Sequence, residues 1–166
     1  MKKYDVIIAI DPDVEKSGVA LLEVETRKLE VSSYTFQQLF DYLTFIKEEN
    51  EKHNKKIVVV VEASWTTTHN YHLSGKHTLA SASKTGYNIG RNHQQGMVIC
   101  EMAKHYGFEV IEHAPLRKCW KGKDGKITHE ELASFTGLIG KTNQDSRDAA
   151  LLAWNYANFP IKIKNF

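Results

Sequence analysis

Two short runs of this chain are wholly apolar and rich in β-branched residues, and each stops at an acid. Val6-Ile7-Ile8-Ala9-Ile10 ends at Asp11, and Ile57-Val58-Val59-Val60-Val61 ends at Glu62. A strand that shows no alternation is buried on both faces, so both runs belong at the centre of a sheet covered by helices on two sides. Asp11-Pro12 closes the first strand, because proline cannot donate to a ladder and Asp-Pro favours a turn. Gly18 to Val24 reads as a second strand returning antiparallel, and Leu29 to Thr35 as a third.

Phe36, Leu39, Phe40, Leu43 and Ile46 recur at helical spacing and predict an amphipathic helix over 36–52. The polar stretch 63–85 carries no confident element. Ile89, His93, Met97, Cys100 and Ala103 trace one face of a helix over about 86–106, stopped by Gly107. Phe108 to Ile111 is a short strand. Thr128-x-x-Glu131 is a capping-box signal for a short helix to Phe135. A last helix over 144–158 turns Ala149, Leu152, Ala153 and Tyr156 inward and ends before Pro160. The order predicts one α/β domain over 1–166, with a mixed sheet of about five strands flanked by helices.

Composition narrows the class. Cys100 and Cys119 cannot form a disulfide framework, and no apolar run is long enough for a membrane span. These features predict a soluble protein of a reducing compartment, the cytoplasm. The net charge of +2 hides a division along the chain. Residues 1–62 carry 9 basic and 12 acidic side chains, whereas 63–100 contain Lys76, Lys84 and Arg91 and no acid. Arg117, Lys118, Lys121, Lys123 and Lys126 then face only Asp124 over 113–129. Locally basic stretches on a near-neutral chain suit a polyanion, since Lys and Arg release counterions from phosphates.

Asp11 and Glu62 emerge at the same sheet end if their strands are neighbours, where open α/β sheets hold their sites. Asp145 and Asp148, three apart, share one face at the start of the last helix. Four carboxylates together repel strongly: two charges at 4 Å cost about 4 kcal/mol at an effective dielectric near 20. Oxygen donors without cysteine select Mg²⁺ or Mn²⁺ over zinc. Two such ions roughly 4 Å apart activate water and stabilise the leaving oxygen of a phosphodiester.

These residues resemble a known family. Ile10-Asp11-Pro12 followed by Gly18-Val-Ala looks like the opening hairpin of RuvC-like Holliday-junction resolvases, within the RNase H-like superfamily. Val60-Val61-Glu62 is similar to that family's second acidic strand end, and Asp145-Ser-Arg-Asp148-Ala-Ala-Leu-Leu-Ala to its terminal helix. Gly90-Arg91 with Gly96, Phe108-Glu-Val and Ala114-Pro with Lys118 follow in the same order, so the resemblance runs from about 5 to 157.

The resemblance implies an RNase H-like fold. It implies a divalent-cation-dependent endonuclease, usually a homodimer, that nicks branched DNA at four-way junctions, with Asp11, Glu62, Asp145 and Asp148 as metal-binding catalytic carboxylates. Trp65 stands where the family has an aromatic that stacks on bases. Lys118 and Lys126 approximate its phosphate-facing lysines, and Arg117 or Lys121 can serve instead. Asp13 replaces the family's glycine after Asp-Pro, which gives either another turn geometry or a fifth acid near the metals.

Other readings stay open: an RNase H-like nuclease with another nucleic-acid substrate, or a non-catalytic nucleic-acid-binding module. A zinc site from His69, His72 and His77 lacks a completing ligand. Gly140-Lys141-Thr142 imitates the end of a phosphate-binding loop, but Phe135 stands where that loop needs glycine. A two-domain actin-like kinase needs far more chain, so no nucleotide cofactor is expected.

Overall fold

In the computed structural model, which describes residues 3–67 and 78–162, the two apolar runs lie side by side in parallel. β1 (Val6–Asp11) pairs with β4 (Ile57–Glu62), Ile10 opposite Val61. β2 (Ser17–Glu23) returns antiparallel to β1, and β3 (Leu29–Tyr34) antiparallel to β2. β5 (Glu109–His113) adds in parallel on the other side of β4, giving the order β3-β2-β1-β4-β5. This is the mixed five-stranded sheet predicted from the sequence, with helices on both faces.

Strand periodicity divides the core in two. Ile7 and Ala9 of β1, Ala20 and Leu22 of β2, and Val58 and Val60 of β4 point to one face. There they meet Leu132 of α3 (His129–Thr136) and Ala149, Leu152 and Ala153 of α4 (Gln144–Tyr156). Val6, Ile8, Ile10, Val59 and Val61 point to the other face, under Leu39, Phe40 and Leu43 of α1 (Phe36–Glu51). Ile99, Cys100 and Ala103 of α2 (Leu79–His105) complete that second core. Each fully buried aliphatic side chain of this kind contributes about 1.5–3 kcal/mol.

Helix starts follow local capping chemistry. Thr35, Thr128 and Asn143 each close a reciprocal capping box, with Gln38, Glu131 and Ser146 at the third helical position. Gly137, at φ 72°, ends α3 in the left-handed conformation that glycine adopts without penalty.

The structure departs from the sequence reading at α2. That helix begins at Leu79, capped by Thr78, seven residues ahead of the predicted start. Apolar spacing gives no signal there because the first turns touch no core: Leu79 is 89% exposed. The inward face is also rotated, with Gly96 and Ile99 buried and Met97 37% exposed. At 27 residues α2 is about 40 Å long, twice the ~20 Å of a six-residue strand, so its first half overhangs the sheet. β5 is likewise displaced toward its C-terminal end, with Phe108 buried just ahead of it. Among the described residues no helix is long and apolar enough to cross a membrane. Lys76, His69, His72 and His77 lie outside the described residues.

Along the α4 face of β2 the side chains taper from Leu22 through Ala20 to Gly18. The taper lets the first turn of α4 settle directly on the sheet. A Cβ at Gly18 would collide with the backbone carbonyl of Asp145 and stand 2.6 Å from the Ser146 nitrogen. Gly18→Ala should therefore cost at least the roughly 1–3 kcal/mol of an overpacked core, because backbone cannot rotate away. Gly86→Ala, at a position with nothing within 4 Å, should instead stabilise by about 0.5–1 kcal/mol. Urea unfolding of both variants checks the pair; a Gly18→Ala protein as stable as the parent would contradict this packing.

Candidate metal and nucleic-acid site

Register places the acids. Asp11 has the parity of Ile7 and Ala9, and Glu62 that of Val58 and Val60, so both carboxylates leave the sheet on the α4 face. Asp11 pairs with Gly18, and Gly18 lies beneath Asp145, which brings the first turn of α4 over the ends of β1 and β4. The sequence reading named Asp11, Glu62, Asp145 and Asp148; the charges of the other three act on Asp11, and Asp148 acts on Glu62 and Asp145 as well.

Their electrostatics are those of crowded like charges. Burial, followed by the charges of Glu62, Asp148 and Asp145, pushes the Asp11 carboxyl well above its usual range. Burial and then Asp148 raise Glu62. Burial and then Asp13 raise Asp145, with a smaller upward push from Asp148. Lys126 opposes all three shifts. Its Nζ donates to Asp148 Oδ2 at 2.8 Å, while Gln144 Nε2 donates to Asp148 Oδ1 at 2.7 Å. Burial alone would lower the Lys126 ammonium, but the bond to Asp148 and the neighbouring acids outweigh it and the net shift is upward.

Asp13 shapes the turn and also lies near enough to Asp145 for its charge to act there. Its Oδ1 accepts from the Glu15 amide at 2.8 Å, an Asx turn that closes the corner after Pro12. Its own amide bonds Ser17 Oγ at 3.2 Å, and its charge acts on Asp145. The corner is further tied to α2, where Asn92 Oδ1 accepts from the Val14 amide at 3.3 Å.

The predicted nucleic-acid residues fall into three groups. Lys126 is drawn into the carboxylates, and Lys118 acts on Glu62 through charge from an exposed position. Arg117 and Lys121 are exposed on the same segment, where the Lys121 amide bonds both oxygens of the buried Glu131. Lys84 and Arg91 stand two turns apart on the overhanging half of α2, with the Arg91 guanidinium 5.6 Å from the Tyr87 ring centroid. Trp65 is half-buried in the 3₁₀ turn Ser64–Thr66 after β4, and its ring edge fills the space a side chain at Gly96 would occupy.

Gln144 and Arg147 were missed by the sequence reading. Arg147 Nε donates to the Ile127 carbonyl at 3.1 Å and its Nη2 to Gln144 Oε1 at 2.9 Å. The i,i+4 spacing of Gln144 and Asp148 was the available signal. Among the described residues, no three His, Cys, Asp or Glu side chains stand ready as a metal cage. The donor chemistry nonetheless fits a hard divalent cation: carboxylate oxygens, no thiolate or imidazole, and negative charge that one bonded ammonium leaves under-neutralised.

A carboxyl whose folded pKa is raised stabilises the fold fully below its unfolded value, and loses that contribution as pH rises through the folded value. Asp11, Glu62 and Asp145 therefore weaken the metal-free protein at pH 8 relative to mildly acidic pH. Asp11→Asn should raise the Tm in EDTA at pH 8, at about 2–4 °C for each kcal/mol in a domain of this size. The gain should shrink as pH falls below the folded value of Asp11 toward its unfolded value. Saturating Mg²⁺ should raise the Tm of the parent more than that of the variant. Differential scanning fluorimetry reads all three, and a lower Tm for Asp11→Asn in EDTA at pH 8 would refute the charge crowding.

No family model and no curated protein matches the chain. Among solved structures it is similar to T. thermophilus RuvC, seen in complex with Holliday junction substrate. That likeness has 17% identity, 92% coverage of each chain and a TM-score of 0.45.

Proposed function

We propose that this protein is a divalent-metal-dependent endonuclease of the RuvC-like kind, cutting phosphodiester bonds in four-way or otherwise branched DNA. The observation that carries the reading is the convergence of Asp11, Glu62, Asp145 and Asp148 from two strand ends and one helix turn, buried enough to raise three of their carboxyls. Buried carboxylates that destabilise one another are a pattern of functional sites rather than of packing. The ordered resemblance from the first hairpin to the last helix supplies the reaction class.

In this reading Asp11, Glu62, Asp145 and Asp148 hold Mg²⁺ or Mn²⁺, two ions per site. Bound there, the ions supply Lewis-acid stabilisation of charge on the attacking and leaving oxygens. The protein's own contribution is to fix the carboxylates on rigid elements: β1 and β4 at the sheet centre, and α4 on Gly18. Gln144, held by Arg147, orients Asp148. Exposed Lys118, Arg117 and Lys121 beside the site, and Lys84 and Arg91 along α2, approach phosphates of the DNA arms. Trp65, whose edge is engaged by α2, stacks on a base at the crossover. A homodimer presents two such sites for paired nicks.

A synthetic four-way junction with Mg²⁺ or Mn²⁺ tests the reading. The parent should cut it and leave linear duplex largely intact. Asp11→Asn and Asp148→Asn should each slow cutting by more than about a hundredfold, the upper end for groups that only support a metal ligand. Equal cutting of linear duplex would sink junction selectivity, and cutting that survives both substitutions would sink the carboxylate assignment. Cleavage of an RNA–DNA hybrid in place of the junction would keep the chemistry and reassign the substrate.

A further inference from the structure

Among the described basic residues expected to face DNA, Lys126 is the one whose ammonium is hydrogen-bonded to a carboxylate of the site. Its ammonium reaches inward to Asp148 Oδ2 at 2.8 Å and acts on Asp11, Glu62 and Asp145 as well. The pair is largely covered, with side-chain exposures of 33% and 17%. Both oxygens of Asp148 are thereby engaged, one by Lys126 and one by Gln144. Each oxygen keeps a second lone pair, but a dication that takes Asp148 Oδ2 as ligand stands close to the Lys126 ammonium and repels it, whereas the neutral Gln144 amide is not repelled in this way.

The two partners are held unequally. Gln144 Nε2 also reaches the Ile127 carbonyl at 3.3 Å, and its Oε1 accepts from Arg147, so its amide is locked. Among the described residues, the Lys126 ammonium is hydrogen-bonded to Asp148 alone. Its backbone is fixed instead: its amide bonds Lys123 and its carbonyl accepts from Gly122 at 2.9 Å. A four-carbon arm on a pinned backbone can swing without disturbing the fold.

We propose that Lys126 is the resident counter-ion of the metal-free site, that a divalent cation displaces it from Asp148, and that the freed ammonium then takes a DNA phosphate. The proposal rests on the metal-dependent reading above and adds an exchange of cations to it. No bond is made or broken other than the ion pair. Positive charge moves outward as the ion moves in, so metal loading and DNA grip rise together. The physical ground is that an ammonium and a dication cannot share one carboxylate oxygen at contact distance without strong mutual repulsion.

Mn²⁺ titration of the full chain, followed by calorimetry or by the loss of free-ion paramagnetic signal, tests the exchange without any cleavage. Lys126→Met should bind Mn²⁺ about tenfold or more tightly than the parent, a change near 1.4 kcal/mol. Lys126→Arg should stay close to the parent. The gain should shrink when Asp148→Asn is present in both members of the comparison, which ties the difference to this ion pair. Lys126→Met should lower junction affinity more in Ca²⁺ than it does in EDTA. If Lys126→Met fails to fold without metal, Lys126→Gln is measured with the same expectation. Equal or weaker Mn²⁺ binding by the neutral variant overturns the exchange while leaving the metal site standing. Absence of Mn²⁺ binding by parent and variants alike overturns the metal reading, and the exchange with it.

Discussion

The close approach of α4 to β2 at Gly18 is the constraint on which the rest of the site depends. Helices ordinarily pack on sheets through their side chains, which keeps backbone and backbone apart. Here the β2 residues facing α4 shrink from Leu22 to Ala20 to Gly18, and the helix tilts down until the carbonyl of Asp145 lies where a Cβ would be. Gly18 is also the partner of Asp11 across the β1–β2 ladder. One missing side chain therefore fixes the spacing between the strand-borne acids and the helix-borne ones. The two apolar strands supply the other half of the constraint, because their parallel register brings Asp11 and Glu62 out at one end and on one face.

The charge gathered there is unfavourable in itself and is tolerated because the surrounding structure is over-determined. Glu131 is an example. It is 3% exposed, completes the capping box of α3 through the Thr128 amide, and receives the Lys121 amide on both carboxylate oxygens. That one buried carboxylate thus ties the basic segment to α3. The carbonyl of Ile127, next to Lys126, takes bonds from Arg147 and Gln144. Segment 121–128 is held from both sides, and Lys126 is delivered to Asp148 as a consequence. Ordering of this kind lets a single ammonium offset several carboxylates where a surface lysine would be screened by water.

Much of this was legible in the residues because it is written in local patterns. Unbroken apolar runs identified β1 and β4, and the Thr128–Glu131 spacing identified α3. The four acids followed from their positions at element ends. What was not legible depends on contacts between distant parts. The start of α2 carries no apolar period because it meets no core, so only the Thr78 cap marks it. Met97 has the right spacing for the predicted inward face, yet the face is set by Trp65, whose ring demands Gly96 beneath it. Asp13 could be read as a turn former or as an extra charge, and no local pattern says that one carboxylate does both. Lys126 is one lysine among several in its segment, and only the folded loop distinguishes it from Lys118 and Lys121.

The separation of charge along the chain acquires a physical sense once α2 is placed. A phosphate backbone is repelled by four clustered carboxylates, so a nuclease of the proposed kind needs positive charge outside the cluster to gain its affinity. The first half of α2 extends beyond the sheet and bears Lys84 and Arg91 without any acid over 78–100, while exposed Arg117, Lys118 and Lys121 lie on the segment that delivers Lys126 to the site. Over a Debye length of about 8 Å at physiological salt, a phosphate beside the overhang responds to those cations and little to the buried acids. A phosphate that reaches the carboxylates does so beside the basic segment. On the proposed function, the low net charge reflects two opposite requirements in one domain, anionic at the carboxylates and cationic along the basic stretches. Lys126 belongs to both regions, which is why the position of that one ammonium couples them.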